Sequence, residues 1–382
     1  MLMKLFQAIG WSAAGGLIAA LCCTALVPAM IRLATARGWL DHPEQHRTHA
    51  RAVPRLGGVA ILVSTIMALG VLHWVGRAGL VGAPALQWPM GGDPLLLLGV
   101  AAVFLVGVAD DLLGVSPKTK LFVQLAAALI LLSSGLSPQA VALTRESTVI
   151  PLPKAVAMLG TAIWVVGVTN AFNIADGIDG LAGTLALLAM GVLLLAPPLL
   201  GTVHGDASLL LPLGGGIAAF LGRNWPPARI FLGDAGSMTI GFLLAALSIR
   251  AATTPGGALY PLIPLAALGY PVLDTLTAMA RRGIRGHPVM QADERHIHHL
   301  LLVRGVTPAG AVIRLVGSSA MAVCAAFAIT MAPPALTVPL VIGAGGGLLV
   351  LMGVAFRWLG YEEFTEAAAS LRSSLRLLRR RG

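Results

Sequence analysis

Charge and cysteine are scarce in this sequence. Only 11% of its 382 residues are charged, against about 25% in a soluble domain. A water-soluble globular enzyme is therefore excluded. The three cysteines, Cys22, Cys23 and Cys324, lie in apolar runs. They read as small packing residues, and neither a disulfide framework nor a zinc site is implied. No long Pro/Ser/Gly tract or run of like charge separates two domains, and no internal repeat is visible.

What the chain has in abundance is apolar sequence. Hydrophobic residues make up 57%, and the mean hydropathy is +0.86. A spanning helix needs roughly 20 mostly apolar residues. Runs of that kind predict an all-α polytopic membrane protein with about eleven spans. They centre near Ala20, Thr65, Val103, Ala128, Val165, Leu187, Gly216, Leu244, Ala267, Met321 and Gly346. The first run continues past Cys22 and Cys23 to Met30, so it reads as a retained helix and not a cleaved leader. Residues 1–360 form one multi-span unit in this reading. Residues 361–382 form a basic tail with Leu371, Leu375 and Leu378 on one face, suited to an anionic leaflet.

The net charge of +10 is placed asymmetrically. Twenty of the 26 Lys and Arg residues fall in the odd-numbered connections and the tail, and five on the other side, with Arg314 inside span 10. The positive-inside rule then puts the N-terminus outside and the C-terminus in the cytoplasm. Nucleic acid is not expected as a partner, because the basic residues follow the membrane and not a binding face.

Four polar clusters all land on that cytoplasmic side. Asp110 and Asp111 end the run that begins at Leu95 and are followed by Lys118 and Lys120. Adjacent carboxylates repel unless a cation or proton separates them. Asn170 and Asn173 share a helix face, and Asp176 and Asp179, each followed by glycine, continue the three-residue period. Asp234 opens the span near Leu244, either as a helix cap or as a metal ligand. His296, His298 and His299 lie in a basic loop without zinc spacing, where they suit hydrogen bonds to an anion. Asp274 and Arg314, inside spans 9 and 10, read as a structural ion pair, with Arg281 as a second partner for the acid. Acids, amides and histidines gathered at one membrane face suit a divalent metal and phosphate chemistry.

These residues carry a family resemblance. Asp41–Pro43, Pro54–Gly58, Asp110–Asp111, Asn170–Gly183, Phe231–Ser237 and His296–His299 follow in order the motifs of the polyprenyl-phosphate N-acetylhexosamine-1-phosphate transferases. The sequence resembles the bacterial undecaprenyl-phosphate GlcNAc-1-phosphate branch, because its histidine run differs from that of the phospho-MurNAc-pentapeptide translocases. The resemblance implies eleven helices, a Mg²⁺ or Mn²⁺ cofactor, and transfer of GlcNAc-1-phosphate from UDP-GlcNAc to undecaprenyl phosphate with release of UMP. It implies that Asp110 and Asp111 act at the lipid phosphate and that Asn173 and Asp234 hold the metal. Asp176 and Asp179 would contact the uridine. Lys120 and His296, His298 and His299 would bind the diphosphate, with Asn170 also on the substrate side. The implied setting is the bacterial inner membrane, at the first membrane step of a surface polysaccharide such as O-antigen, enterobacterial common antigen or teichoic acid, with a homodimer as a further expectation.

A lipid phosphate is mostly dianionic at neutral pH. Charge neutralisation and not general-base help should lower most of the barrier. Direct in-line attack is the expected route, with a phospho-aspartate intermediate as the alternative. The rival readings are the same reaction on another UDP-N-acetylhexosamine or on UDP-MurNAc-pentapeptide. In a different class stands a transporter, which would bury its acids near the midplane in repeat-related pairs.

Overall fold

The computed structural model describes residues 2–41, 52–78, 93–201, 206–284, 296–333 and 335–344. Asp293–Arg295, the tail from 361 and most of the apolar run around Gly346 lie outside the described residues. The helices are α1 (Leu2–Arg37), α2 (Gly57–Arg77), α3 (Pro94–Leu113), α4 (Pro117–Ser133), α5 (Lys154–Ala175), α6 (Leu181–Leu199), α7 (Ala207–Asn224), α8 (Gly233–Ala251), α9 (Leu262–Ala267), α10 (Gly269–Ile284), α11 (Ile297–Val303) and α12 (Pro308–Thr330). A short apolar helix, Ala335–Ala344, follows.

Among the described residues, six helices are long and apolar enough to cross a membrane by themselves: α1 from Gly10, α2, α3, α5, α6 and α12. The protein is a mainly helical polytopic membrane protein.

Local chemistry sets several helix starts. Asp93 accepts from the Leu95 and Leu96 N–H groups, with Pro94 at the first helical position. Ser116 and Pro117 do the same for α4, and Thr307 and Pro308 for α12. In each case a side-chain oxygen satisfies an orphan N–H, and proline occupies a place that needs no donor.

Helix α8 is the axis of the bundle. Every residue from Ala235 to Ile249 is buried, so the helix is packed all round and has no lipid-facing stripe. Small residues let its neighbours close on it. A Cβ at Gly58 of α2 would lie 2.2 Å from the Gly236 nitrogen, and one at Gly107 of α3 would lie 2.6 Å from the Ala235 Cα. Both approaches pin the same end of α8, where Asp234 sits.

Two features differ from the sequence expectation. The run near Ala267 is broken into α9 and α10 by Leu268, just ahead of Gly269 and Pro271. Helix α10 then buries Tyr270, Asp274, Thr277, Ala278 and Arg281 along one stripe, so its inward face is polar. Five two-residue strands also occur. Leu40–Asp41 (β1) pairs with Val53–Pro54 (β2). Ala140–Val141 (β3) joins Ile150–Pro151 (β4) and Ala258–Leu259 (β5).

Candidate active site

The first turn of α8 is assembled by other helices. Asp111, at the end of α3, accepts from the Asp234 N–H at 2.8 Å and the Ala235 N–H at 3.0 Å. The cap of α8 is therefore a carboxylate from another helix, which suits the positive end of the helix dipole. Asp234 is freed from capping, and its side chain turns to other partners. Lys120 Nζ donates to Asp234 Oδ2 at 2.8 Å and lies 3.2 Å from Asp110 Oδ2. Asp110 uses its other oxygen to accept from the Val115 N–H at 2.8 Å. Asn173 Nδ2 donates to Asp234 Oδ1 and to Ser237 Oγ, both at 2.9 Å.

These contacts form a continuous net from α3 and α4 through α8 to α5. The Lys120, Asp110 and Asp234 side chains are 21%, 17% and 22% exposed, so the net is partly desolvated yet open to a ligand. Asn170 is placed differently. Its Nδ2 donates to Gln124 Oε1 at 2.5 Å and to the Val166 carbonyl at 2.8 Å, which ties α5 to α4 one turn inside the bundle.

The Asp176–Gly180 connection between α5 and α6 is docked on the segment before α8. Asp179 Oδ2 accepts from the Ala228 N–H, and Asn224 Oδ1 accepts from the Gly180 N–H, both at 2.9 Å. Asn224 also donates to the Ile230 carbonyl at 2.9 Å. The Asp176 carboxyl is pushed well above the usual carboxylate range, first by burial and then by the charges of Asp234, Asp111 and Asp179.

The histidines arrive from α11 and its cap. A Cβ at Gly177 would lie 2.6 Å from His298 Nε2, so His298 abuts the Asp176–Asp179 connection. His296 and His298 are buried, and His299 is half-buried. Burial, aided by the neighbouring His298 and His296, pushes His299 down to about 4.

All four sequence clusters therefore meet at one end of the bundle. Asp274 does not form the expected pair with Arg314. It is buried against His296 and His298, whereas Arg314 is exposed on α12. Composition and periodicity gave no sign of Gln124, Asn224 or Tyr270, because single polar residues in apolar runs look alike before packing. Arg55 is paired with Asp41, beside the chain that passes under Gly233.

The oxygens facing the net come from Asp and Asn, with no sulfur, a donor set suited to Mg²⁺ or Mn²⁺. Among the described residues, no three acidic, histidine or cysteine groups are grouped to grip an ion unaided. Mg²⁺ is commonly held by one or two carboxylates with substrate phosphates completing the shell, so Asp234 with the Asn173 amide oxygen could hold one. The surplus of carboxylates around a single lysine fits an added cation.

Comparison with known proteins agrees with this chemistry. Residues 94–252 match the model for glycosyl transferase family 4. The chain is 32% identical over 293 residues to a decaprenyl-phosphate N-acetylglucosaminephosphotransferase of Mycobacterium tuberculosis (strain ATCC 25618 / H37Rv), covering 72% of this chain and 71% of the relative. It is 29% identical to a probable undecaprenyl-phosphate N-acetylglucosaminyl 1-phosphate transferase of Bacillus subtilis (strain 168), covering 74% and 75%. It is 27% identical to an undecaprenyl-phosphate alpha-N-acetylglucosaminyl 1-phosphate transferase of Escherichia coli (strain K12), covering 76% of each.

Proposed function

The chain belongs to the polyprenyl-phosphate N-acetylhexosamine-1-phosphate transferases of glycosyl transferase family 4, and we propose that it transfers GlcNAc-1-phosphate from UDP-GlcNAc to undecaprenyl phosphate. It is a membrane phospho-sugar transferase. What carries the reading of its site is the net in which Lys120 stands between Asp110 and Asp234 while Asn173 holds the other oxygen of Asp234.

In the proposed reaction an oxygen of the lipid phosphate attacks the β-phosphorus of UDP-GlcNAc. The bond from that phosphorus to the bridging oxygen breaks, and UMP leaves with the oxygen. The nucleophile is already deprotonated, so the obstacle is repulsion between anions. Lys120 supplies a fixed cation where the donor's diphosphate is received. Asp234 and Asn173 would hold a Mg²⁺ or Mn²⁺ ion, which when bound neutralises developing phosphoryl charge. Asp110 and Asp111 stand on the acceptor side. Asp111 acts mainly by fixing the first turn of α8, since both its oxygens are engaged by backbone N–H groups. Asp176 and Asp179 receive the uridine, and the histidine cluster closes over the diphosphate.

Eleven spans, with the site at the cytoplasmic face of a bacterial inner membrane, fit the Lys/Arg bias of the connections. The product would begin a surface polysaccharide. The test uses purified protein with undecaprenyl phosphate and UDP-GlcNAc, UDP-GalNAc or UDP-MurNAc-pentapeptide. UMP should form fastest from UDP-GlcNAc, stop with EDTA and return with Mg²⁺. Faster release from the MurNAc-pentapeptide donor would overturn the proposed donor.

A further inference from the structure

Asp274 lies away from the Lys120 net, and it is 1% exposed in the middle of α10. A carboxylate so buried is costly unless its charge is matched and its oxygens are occupied. Its Oδ1 accepts from the Ile297 N–H at 2.8 Å, at the first residue of α11. Its Oδ2 lies 3.2 Å from His296 Nδ1 and 3.4 Å from His298 Nδ1. Tyr270 Oη is 3.2 Å from the same His298 nitrogen. The His296 and His298 rings are stacked, with centroids 5.6 Å apart and planes 6° from parallel. His299 tilts against His298 with centroids 4.4 Å apart. One carboxylate thus hydrogen-bonds the start of α11 and stands within ion-pair distance of two imidazoles.

The other edge of His298 meets Gly177. Only a hydrogen fits there, because a Cβ would fall 2.6 Å from Nε2. Gly177 is not among the glycines with positive φ, so its backbone makes no demand for glycine. A side chain at this position would have to displace the His298 ring. With Nδ1 held between Tyr270 Oη and the Asp274 carboxylate, the ring is confined on that edge, and Nε2 faces the Asp176–Asp179 connection. His296 and His298 are buried beside the Asp274 carboxylate, and His299 is the member that keeps an open side.

We propose that Asp274 is a positioning residue of the transferase site: from α10 it locks His298 against Gly177, and so sets the Asp176–Asp179 connection and His299 for the sugar-nucleotide donor. This rests on the assignment of that connection and the histidines to the donor in the proposed function. The histidine run is then two elements, a bracket of His296 and His298 and a single donor-facing His299.

The experiment uses the full chain, purified in detergent. Asp274→Asn keeps an acceptor for the Ile297 N–H and removes the charge. It should lower kcat/KM for UDP-GlcNAc about 10²-fold, with the KM for undecaprenyl phosphate within about two-fold of wild type. In a His298→Ala background the same substitution should cost much less than it does alone, only the share that runs through His296 remaining. A full additional loss there would overturn the proposal. Gly177→Ala leaves Asp274 in place and presses on Nε2 from the opposite side, so it should reproduce the donor defect. Unchanged donor kinetics in Gly177→Ala would also overturn it.

Diethyl pyrocarbonate labelling, mapped by mass spectrometry, reads the arrangement without turnover. His299 should react while His296 and His298 are protected, and Asp274→Asn should open both. Equal reactivity of His298 and His299 in the wild-type protein would refute the bracket. Absence of UMP from the wild-type protein would fault the proposed reaction, and the labelling would still decide the role of Asp274.

Discussion

The Asp111 carboxylate holds the backbone of Asp234, 123 positions further along the chain, through a hydrogen bond of 2.8 Å. The second Asp111 oxygen takes the next N–H, that of Ala235, at 3.0 Å. An acid at the end of one helix thereby places the acid at the start of another. Asn at position 111 could accept with one oxygen only and would turn an amide N–H₂ toward a backbone donor. Asp111→Asn should therefore cost about 1–3 kcal/mol of stability and lower turnover together. Thermal melting and UMP release from the same preparation check both. Lost turnover with an unchanged melting temperature would place Asp111 in direct contact with substrate instead.

Lys120 is the cation between Asp110 and Asp234. Lys120→Met should reduce kcat about 10²- to 10³-fold, the loss typical when a group that stabilises transition-state charge is removed. Lys120→Arg keeps the charge and should retain part of the activity. Wild-type kinetics in Lys120→Met would remove it from the diphosphate site.

Gly233 opens α8 at φ +73°. A Cβ there would meet the Arg55 carbonyl at 2.3 Å and Asp111 Oδ2 at 2.6 Å. The left-handed conformation alone costs a non-glycine residue about 1–2 kcal/mol, and the collision with the capping acid adds to it. Gly233→Ala should lower the melting temperature more than Gly222→Ala, where a Cβ meets nothing within 4 Å. Equal effects would show that Asp111 does not grip this turn.

His299 is pushed down to about 4, first by burial and then by His298 and His296. An ordinary histidine in the unfolded chain titrates near about 6.5. Between those values the unfolded chain binds a proton that the folded His299 refuses, so protonation favours unfolding. Stability should fall as pH drops from about 6.5 to about 4, and this part of the loss should be missing in His299→Gln. Melting temperatures across that range give the comparison. Above pH 6.5 His299 is neutral and should leave the activity profile flat.

The clusters at Asp110, Asn170–Gly180 and Asp234 were legible because polar residues in apolar surroundings stand out, and the charge bias put them on one side. The apolar runs located the long described helices, α7 near Gly216 and α8 near Leu244 among them. Burial all round α8 was not legible, since an apolar run facing lipid and one facing other helices have the same composition. The break at Leu268 was signalled by Gly269 and Pro271, but the surrounding run concealed it. Asp274 invited pairing with Arg314 by charge alone. Packing instead set it beside two histidines whose ordinary place, by sequence, was a solvated loop. The capping of α8 by Asp111 depends on a contact between distant segments, which local patterns do not encode.

The proposed reaction moves a sugar together with its phosphate. Donor labelled with ³²P in the β-phosphate of UDP-GlcNAc, incubated with the purified protein, undecaprenyl phosphate and Mg²⁺, tests it most directly. The label should pass into the lipid phase, with unlabelled UMP left in water in equal amount. Label remaining in water as UDP, with sugar alone on the lipid, would show that the bond to the sugar breaks and not the bond between the phosphates.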